Sequence, residues 1–280
     1  MRIAISGSTG FIGKRLTADF SLREWKVIPI TRSDLSLSVE DLAKKLNGVD
    51  VVINLAGAPI AKRWNEKYKQ VLISSRIDST KKIVSAINSL VNKPKLFIST
   101  SAIGIYDSTS THTEQSLNYS GNFLSDLCIK WEQEAKKADI RTIIFRLSVV
   151  LDKNEGAFPK MFLPFKLGVG GKIGSGKQAF SWIYIEDVLN AFVFAIETEN
   201  ISGIFNLTSP NPITNIELTK AIGKAIKLPT LITVPKFILK LLYGEGADVI
   251  SDGQAVIPER LLKEGFTFQC NTIEDFLKTI

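Results

Sequence analysis

Short apolar runs that recur between helix-like stretches constrain this chain more than any other feature. Residues 2–6 (RIAIS), 26–30 (KVIPI), 50–55 (DVVINL), 95–99 (KLFIS) and 141–147 (RTIIFRL) are apolar at nearly every position, the pattern of strands covered on both faces. Between them, residues 11–22, 39–46, about 66–90 and 123–138 have helical periodicity. Strand and helix in alternation predict an α/β fold, a doubly wound parallel sheet with helices on both sides. After residue 150 the texture changes. Pro159, Pro164 and the cluster Gly168, Gly170, Gly171, Gly174 and Gly176 mark turns. The alternating pattern returns once, as a helix over 187–197 and a strand over 203–207. We therefore expect residues 1–150 plus about 181–207 to form the sheet domain. About 151–180 and 208–280 form a small helix-rich lobe. Thr214 with Glu217, and Thr272 with Asp275, have the spacing of capping boxes.

Composition narrows the function classes. With 280 residues, 45% of them hydrophobic and 22% charged, the chain can bury a full core and is not a disordered polymer. Cys128 and Cys270 stand far apart and there is one histidine, so neither a disulfide framework nor a metal site is expected. No apolar run reaches the roughly 18 residues of a membrane span, and the start of the chain does not read as a signal peptide. These features predict a cytoplasmic protein, monomer or homodimer, with no membrane partner. The net charge of +7 favours phosphate-bearing ligands. The densest basic stretch, Lys62 to Lys82, has helical periodicity and reads as a solvated face, so no nucleic-acid partner is expected.

The loop Gly7-Ser8-Thr9-Gly10-Phe11-Ile12-Gly13 lies directly between the first strand and the first helix. Glycines there let the backbone approach a pyrophosphate, which the helix N-terminus attracts through its free N–H groups. This predicts a dinucleotide cofactor. A carboxylate roughly 20 residues beyond the glycines holds an unphosphorylated ribose. Here the second strand ends Ile30-Thr31-Arg32-Ser33, with Asp34 close behind. Arg32 offers a cationic fork suited to a 2′-phosphate, so NADP(H) is favoured over NAD(H); the alternative is an ordinary exposed strand-end arginine. Leu55, Ala56 and Gly57 close the third strand with mostly small residues. Ser99 and Ser101 bring hydroxyls to the carboxyl edge of the sheet, where ligands bind. Helix caps or turn hydroxyls would look the same.

With these pieces assembled, the chain resembles the extended short-chain dehydrogenase/reductase (SDR) superfamily. It looks like an atypical branch, the NAD-dependent epimerase/dehydratase-like proteins of the bacterial YfcH type. The resemblance rests on NLAGAPI with Arg63-Trp64, SSRIDST, GSGKQAFSWIYIEDV, FNLTSPNPITN and PERLLKEGF, and runs the length of the chain. It implies a Rossmann-type fold, NAD(P) at the glycine loop and a C-terminal substrate lobe. In the superfamily a Tyr-x-x-x-Lys pair performs acid/base catalysis and a serine holds the substrate oxygen. Ser101 matches the serine. The pair has no match: Phe123 or Leu124 stands at the tyrosine position, and Leu127 or Cys128 at the lysine position.

Tyr106 is the candidate substitute, the alternative being a packing aromatic with a solvated hydroxyl. His112, in a Ser/Thr-rich loop, is expected to be exposed. Cys128 reads as a small buried residue, and Asp187 as an N-cap. Residues 171–178 nearly spell a phosphate loop but end in Gln178 where magnesium needs a hydroxyl, which excludes an ATPase. Arg146, Lys177 and Gln178 are candidates for contacting an anionic substrate; exposed turn residues are the alternative for the last two. The expected function is an NADP(H)-binding oxidoreductase or epimerase-like enzyme acting on a small polar, nucleotide-sugar-like molecule. The alternative is a catalytically silent NADP(H) sensor.

Overall fold

In the computed structural model, which describes residues 1–247 and 252–280, the apolar runs form one parallel sheet. Its strands are β1 (Arg2–Ser6), β2 (Lys26–Ile30), β3 (Val51–Asn54), β4 (Leu96–Ala102), β6 (Arg141–Leu147) and β11 (Gly203–Leu207). They lie in the order β11-β6-β4-β3-β1-β2, each pair parallel. The order reverses direction between β1 and β3, so a crevice opens there at the carboxyl ends.

Alternate side chains of each strand supply the two cores. Ile3, Ile5, Val51, Ile53, Ile98 and Phe145 pack on one side with Leu16 and Phe20 of α1 (Phe11–Leu22) and Val188 and Phe192 of α8 (Ile185–Glu197). Ala4, Val52, Phe97 and Ile144 face the other side. There they meet Leu42 of α3 (Val39–Leu46) and Ile83 and Ile87 of α5 (Ser79–Ser89). A short helix unforeseen from the sequence, α2 (Arg32–Ser36), follows β2, started by a capping box between Thr31 and Asp34. The long helix expected over 66–90 is α4 (Glu66–Ile73), a π-helical turn at Ser74–Asp78, and then α5. At the wider turn Arg76 lies buried. Helix α6 (Phe123–Ala135) then leads to β6.

A second cluster joins Leu151, Phe158, Trp182, Leu218, Ile222 and Phe276. Around it stand α7 (Phe158–Lys166), α9 (Asn215–Ile226) and the last helix, Ile273–Leu277; α10 (Lys236–Tyr243) lies outside the cluster. Two-residue and three-residue strands pair there: β7 (Val149–Leu151) with β10 (Trp182–Tyr184), β8 (Gly171–Ile173) with β13 (Ile232–Val234), and β9 (Ala179–Phe180) with β12 (Ile213–Thr214). Both expected capping boxes form, at Thr214 with Glu217 and at Thr272 with Asp275. The tail then runs back over the sheet. β14 (Ala255–Val256) pairs with β5 (Thr111–His112). Leu261, Phe266 and Phe268 enter the core of the sheet itself, with Phe266 edge-on to Phe194 of α8 at 5.5 Å. Part of the tail beyond residue 208 thus packs on the sheet's own core. Among the described residues no helix is long and apolar enough to cross a membrane.

Asp187 is not the N-cap expected from the sequence. Helix α8 begins at Ile185 after Tyr184, and no side chain caps it. Asp187 is fully buried and accepts from the backbone N–H of Gln269 at 2.6 Å and of Cys270 at 3.1 Å. Burial pushes its carboxyl up to about 6, although those two hydrogen bonds work the other way. A carboxyl raised in the folded state stabilises the fold at low pH, and the contribution fades as pH rises from its unfolded value near 4 through about 6. Urea midpoints followed between those pH values and neutrality should fall less in Asp187→Asn than in the parent chain. Parallel curves would mean that Asp187 titrates normally.

Candidate functional site

The glycine loop sits at the reversal point, and close backbone contacts shape it. Gly7 has φ 75°, and a Cβ there would lie 2.8 Å from the Leu55 carbonyl oxygen. At Gly13 a Cβ would meet the Gly7 oxygen at 2.2 Å. The Gly10 N–H donates to the Gly7 carbonyl at 2.9 Å and tightens the turn that carries Ser8 and Thr9. Gly10 then opens α1 with no side chain across the cap and no acid in the first turn. Phe11 and Ile12 lean on the core, and Phe11 also abuts Gly156, where a Cβ would come within 2.9 Å of its ring. The result is a bare helix N-terminus with room for a pyrophosphate.

The neighbouring loops border the same crevice. Thr31 caps α2, and Arg32 is exposed, with no ion pair among the described residues. Asp34 is engaged through its Oδ2. It accepts from the Thr31 N–H at 2.7 Å and from Lys45 Nζ at 2.5 Å. Burial works to raise its pKa, but the hydrogen bonds from Lys45 and Thr31 outweigh this and hold it below the usual range. On the other side of the crevice, Asn54 Oδ1 accepts from Ser6 Oγ at 2.5 Å and from the Ala56 N–H at 3.3 Å. Its Nδ2 donates to Thr80 Oγ1 at 2.8 Å. Gly57 lies against the guanidinium of Arg76, where a Cβ would come within 3.1 Å. Arg76 donates to the Ala58 carbonyl at 2.9 Å and stacks over Trp131, and burial lowers its pKa. Sequence reasoning passed over Asn54 and Arg76 as site residues. A lone amide ending the apolar run DVVIN was the available signal for Asn54.

Ser99 and Ser101 end up buried at the carboxyl end of β4, 0% and 2% exposed; Ser99 Oγ has no hydrogen-bond partner among the described residues, and Ser101 Oγ has only the weak one of a thiol. Ser101 faces the Cys128 thiol, a weak donor. Burial pushes that thiol up to about 11, so Cys128 is protonated at neutral pH. A cleft of about 300 Å³ opens between β4, α6 and β7; Ala102, next in the chain, lines it, while Ser99 and Ser101 do not. Its walls include Trp64, Ile103, Phe123, Leu124, Leu147 and Val149. Trp64 and Phe123 stand edge to face at 5.5 Å. Both side chains proposed for the missing tyrosine position thus border the cleft and make that wall apolar, while Asn122, Ser148, Glu245, Asp252 and Gln254 line it elsewhere.

Other expected site residues lie elsewhere. Tyr106 is fully buried rather than carrying a solvated hydroxyl, and it does not border the cleft. Its hydroxyl accepts from Arg146 Nη1 at 2.6 Å and lies 2.9 Å from Asn206 Oδ1. Burial raises its pKa, which makes it a poor acid/base. Arg146 is 1% exposed and cannot reach a substrate, because both its Nε and Nη2 donate to the buried Glu132 at 2.7 and 2.8 Å. His112, expected on the surface, is buried and stacks on Tyr106 at 4.7 Å, with Nε2 3.0 Å from Asp107 Oδ1. Lys177 is exposed, and Gln178 donates to the Ile173 carbonyl; neither borders the cleft. The buried ion pair predicts a non-additive pattern. Arg146→Met leaves Glu132 unpaired and should cost about 3–5 kcal/mol in urea unfolding, most of it recovered when Glu132→Leu is added. Additive losses would contradict this.

The comparisons with known proteins agree with this geometry. The NAD dependent epimerase/dehydratase family profile matches residues 3–208, and a C-terminal domain of unknown function, DUF1731, matches residues 234–280. The epimerase family protein YfhF of Bacillus subtilis is 35% identical, with 98% of this chain and 96% of the relative covered. The chloroplastic SDR39U1 homologue of Arabidopsis thaliana is 34% identical over all of this chain and 86% of its own length. Human SDR39U1 (isoform 2), crystallised with NADPH, superposes with a TM-score of 0.90 at 32% identity, covering 100% of this chain and 99% of that one. UDP-glucuronic acid 4-epimerase of Bacillus cereus shares the fold at a TM-score of 0.77 and 19% identity, over 99% and 97% of the two chains. The chain belongs to the NAD dependent epimerase/dehydratase family, as an atypical member of the extended short-chain dehydrogenase/reductase type.

Proposed function

We propose that the chain binds NADP(H) across the reversal point and is an oxidoreductase or epimerase-like enzyme for a small molecule. Gly7 to Gly13 hold the pyrophosphate, with Ser8 and Thr9 on its turn. Thr31 and Arg32 receive the 2′-phosphate. Leu55, Ala56 and Gly57 form the floor of the crevice. The NADPH in the human relative's crystal structure supports the choice of cofactor. When bound, the cofactor supplies or accepts a hydride.

The observation that carries an enzymatic reading is Ser101. A buried hydroxyl without a strong partner costs free energy unless something satisfies it. An oxygen of a substrate that reaches past Ala102, which lines the cleft, to the Ser101 hydroxyl would do so. Ser101 therefore orients that oxygen, and Ser99 supports the cofactor side. The cleft sets an apolar wall of Trp64, Phe123, Leu124 and Leu147 against the acidic Glu245 and Asp252, which favours a substrate with an uncharged polar group on an apolar body over the anionic nucleotide sugar expected from the sequence. The segment of about 151–180 and the chain from 208 to the return of the tail form the lobe that covers it. The apolar α6 face, with no tyrosine or lysine on it, favours the second reading of a silent NADP(H) sensor.

Titration of intrinsic fluorescence with NADPH and, separately, NADH tests the cofactor. NADPH should bind more tightly, and Arg32→Asp should weaken NADPH by about tenfold or more while leaving NADH nearly unchanged. Equal affinities in the parent chain would remove Arg32 from the site. Turnover separates the two readings: with apolar aldehydes and ketones the enzyme consumes NADPH and Ser101→Ala slows it, whereas a sensor binds the cofactor and never oxidises it.

A further inference from the structure

We propose that the face built by the end of α7, the β8–β13 pair and α10 docks on an anionic lipid bilayer. Helix α10 turns Phe237 and Leu241 outward, 68% and 70% exposed, while Leu239 faces inward. Leu231, just ahead of β13, is 90% exposed. The parallel register sets Ile232 beside Gly171, which brings Leu231 alongside the α7–β8 turn and its exposed Leu167 and Val169. Gly174 at the end of β8 lies against the Lys236 side chain, where a Cβ would be 3.3 Å from Cγ. Exposed apolar side chains therefore flank both ends of the short β8–β13 pair, a concentration of the kind that marks an interaction surface.

Charge selects the occupant. Residues 156–180 and 212–241, which contain every element of this face up to Leu241, carry nine lysines and a single acid, Glu217. Two short stretches thus hold the whole positive excess of a chain whose net charge is +7. Lys166, Lys172, Lys236 and Lys240 belong to the elements of this face themselves. Lys236 pairs with Asp252 at 3.1 Å, both about half exposed. A second copy of the chain seated here would bring lysines against lysines. An anionic bilayer offers phosphates to the lysines and an acyl boundary to Phe237, Leu231 and Leu241. This contact lies in the interface and needs no spanning helix, so the sequence argument from missing apolar runs does not bear on it.

The test is co-sedimentation of the full chain with vesicles of phosphatidylcholine alone and of equal parts phosphatidylcholine and phosphatidylglycerol. The chain should pellet with the mixed vesicles only, and release should follow added salt. Lys236→Glu with Lys240→Glu should weaken binding by about tenfold or more, and Phe237→Ser with Leu241→Ser should do the same. Both pairs are exposed, and unchanged thermal unfolding checks that the variants fold. No binding to the mixed vesicles, binding indifferent to either pair, or a solution dimer that Phe237→Ser with Leu241→Ser dissociates would each overturn the proposal.

Discussion

The backbone of Gly7 presses against the carbonyl of Leu55, and Gly13 presses in turn against Gly7. Those two contacts set how near the first helix comes to the third strand, and hence the width of the crevice at the reversal of strand order. A side chain at either glycine would have to displace backbone, since a Cβ would come within 2.8 and 2.2 Å of carbonyl oxygens. The remaining sheet builds outward from that approach. Ser6 and Asn54 join the two strand ends by a hydrogen bond, and Asn54 passes the connection to Thr80 and, through it, to Trp131. Arg15 of α1 ties the same helix to Asp152 at 2.8 Å and to Glu186, so the glycine loop and the start of the covering lobe hold a common position.

Two polar systems frame the cleft and differ in kind. Arg146, Glu132, Tyr106 and Asn206 form a buried set joined by hydrogen bonds. Such a set specifies geometry but offers nothing to a ligand. At the end of β4 Ser99 is buried and unpaired, and Ser101, one residue before the cleft wall, has only the Cys128 thiol. Incomplete satisfaction next to a cavity is the physical signature of a place where a ligand completes the hydrogen bonding. The family's tyrosine and lysine positions contribute only carbon and a thiol here, so proton transfer cannot follow the superfamily's route.

Much of the fold was legible in sequence because strands buried on both faces leave unbroken apolar runs. Strands over 2–6, 26–30, 141–147 and 203–207 and the helices over 11–22 and 39–46 fall where the periodicity puts them. The glycine loop was legible for a related reason: backbone approach leaves glycines. The buried polar residues were not. Arg146 meets Glu132 across a helix-to-strand connection, and Tyr106 meets Asn206 a hundred residues away, so local pattern cannot reveal that either is sealed. His112 deceived for the same reason, since the strand that covers it, Ala255–Val256, comes from the tail. Helix α2 escaped because its capping signal, Thr31 with Asp34, coincides with the stretch read for cofactor choice.

The central claim is that the amides at the start of α1 receive a dinucleotide. Backbone amide resonances of the isotopically labelled chain, followed while NADPH is added, test it most directly. The account predicts that the largest shifts fall on Gly10, Phe11, Ile12 and Gly13, with smaller ones at Arg32 and Ala56. Saturable shifts confined to other parts of the chain, or none at all, would contradict it.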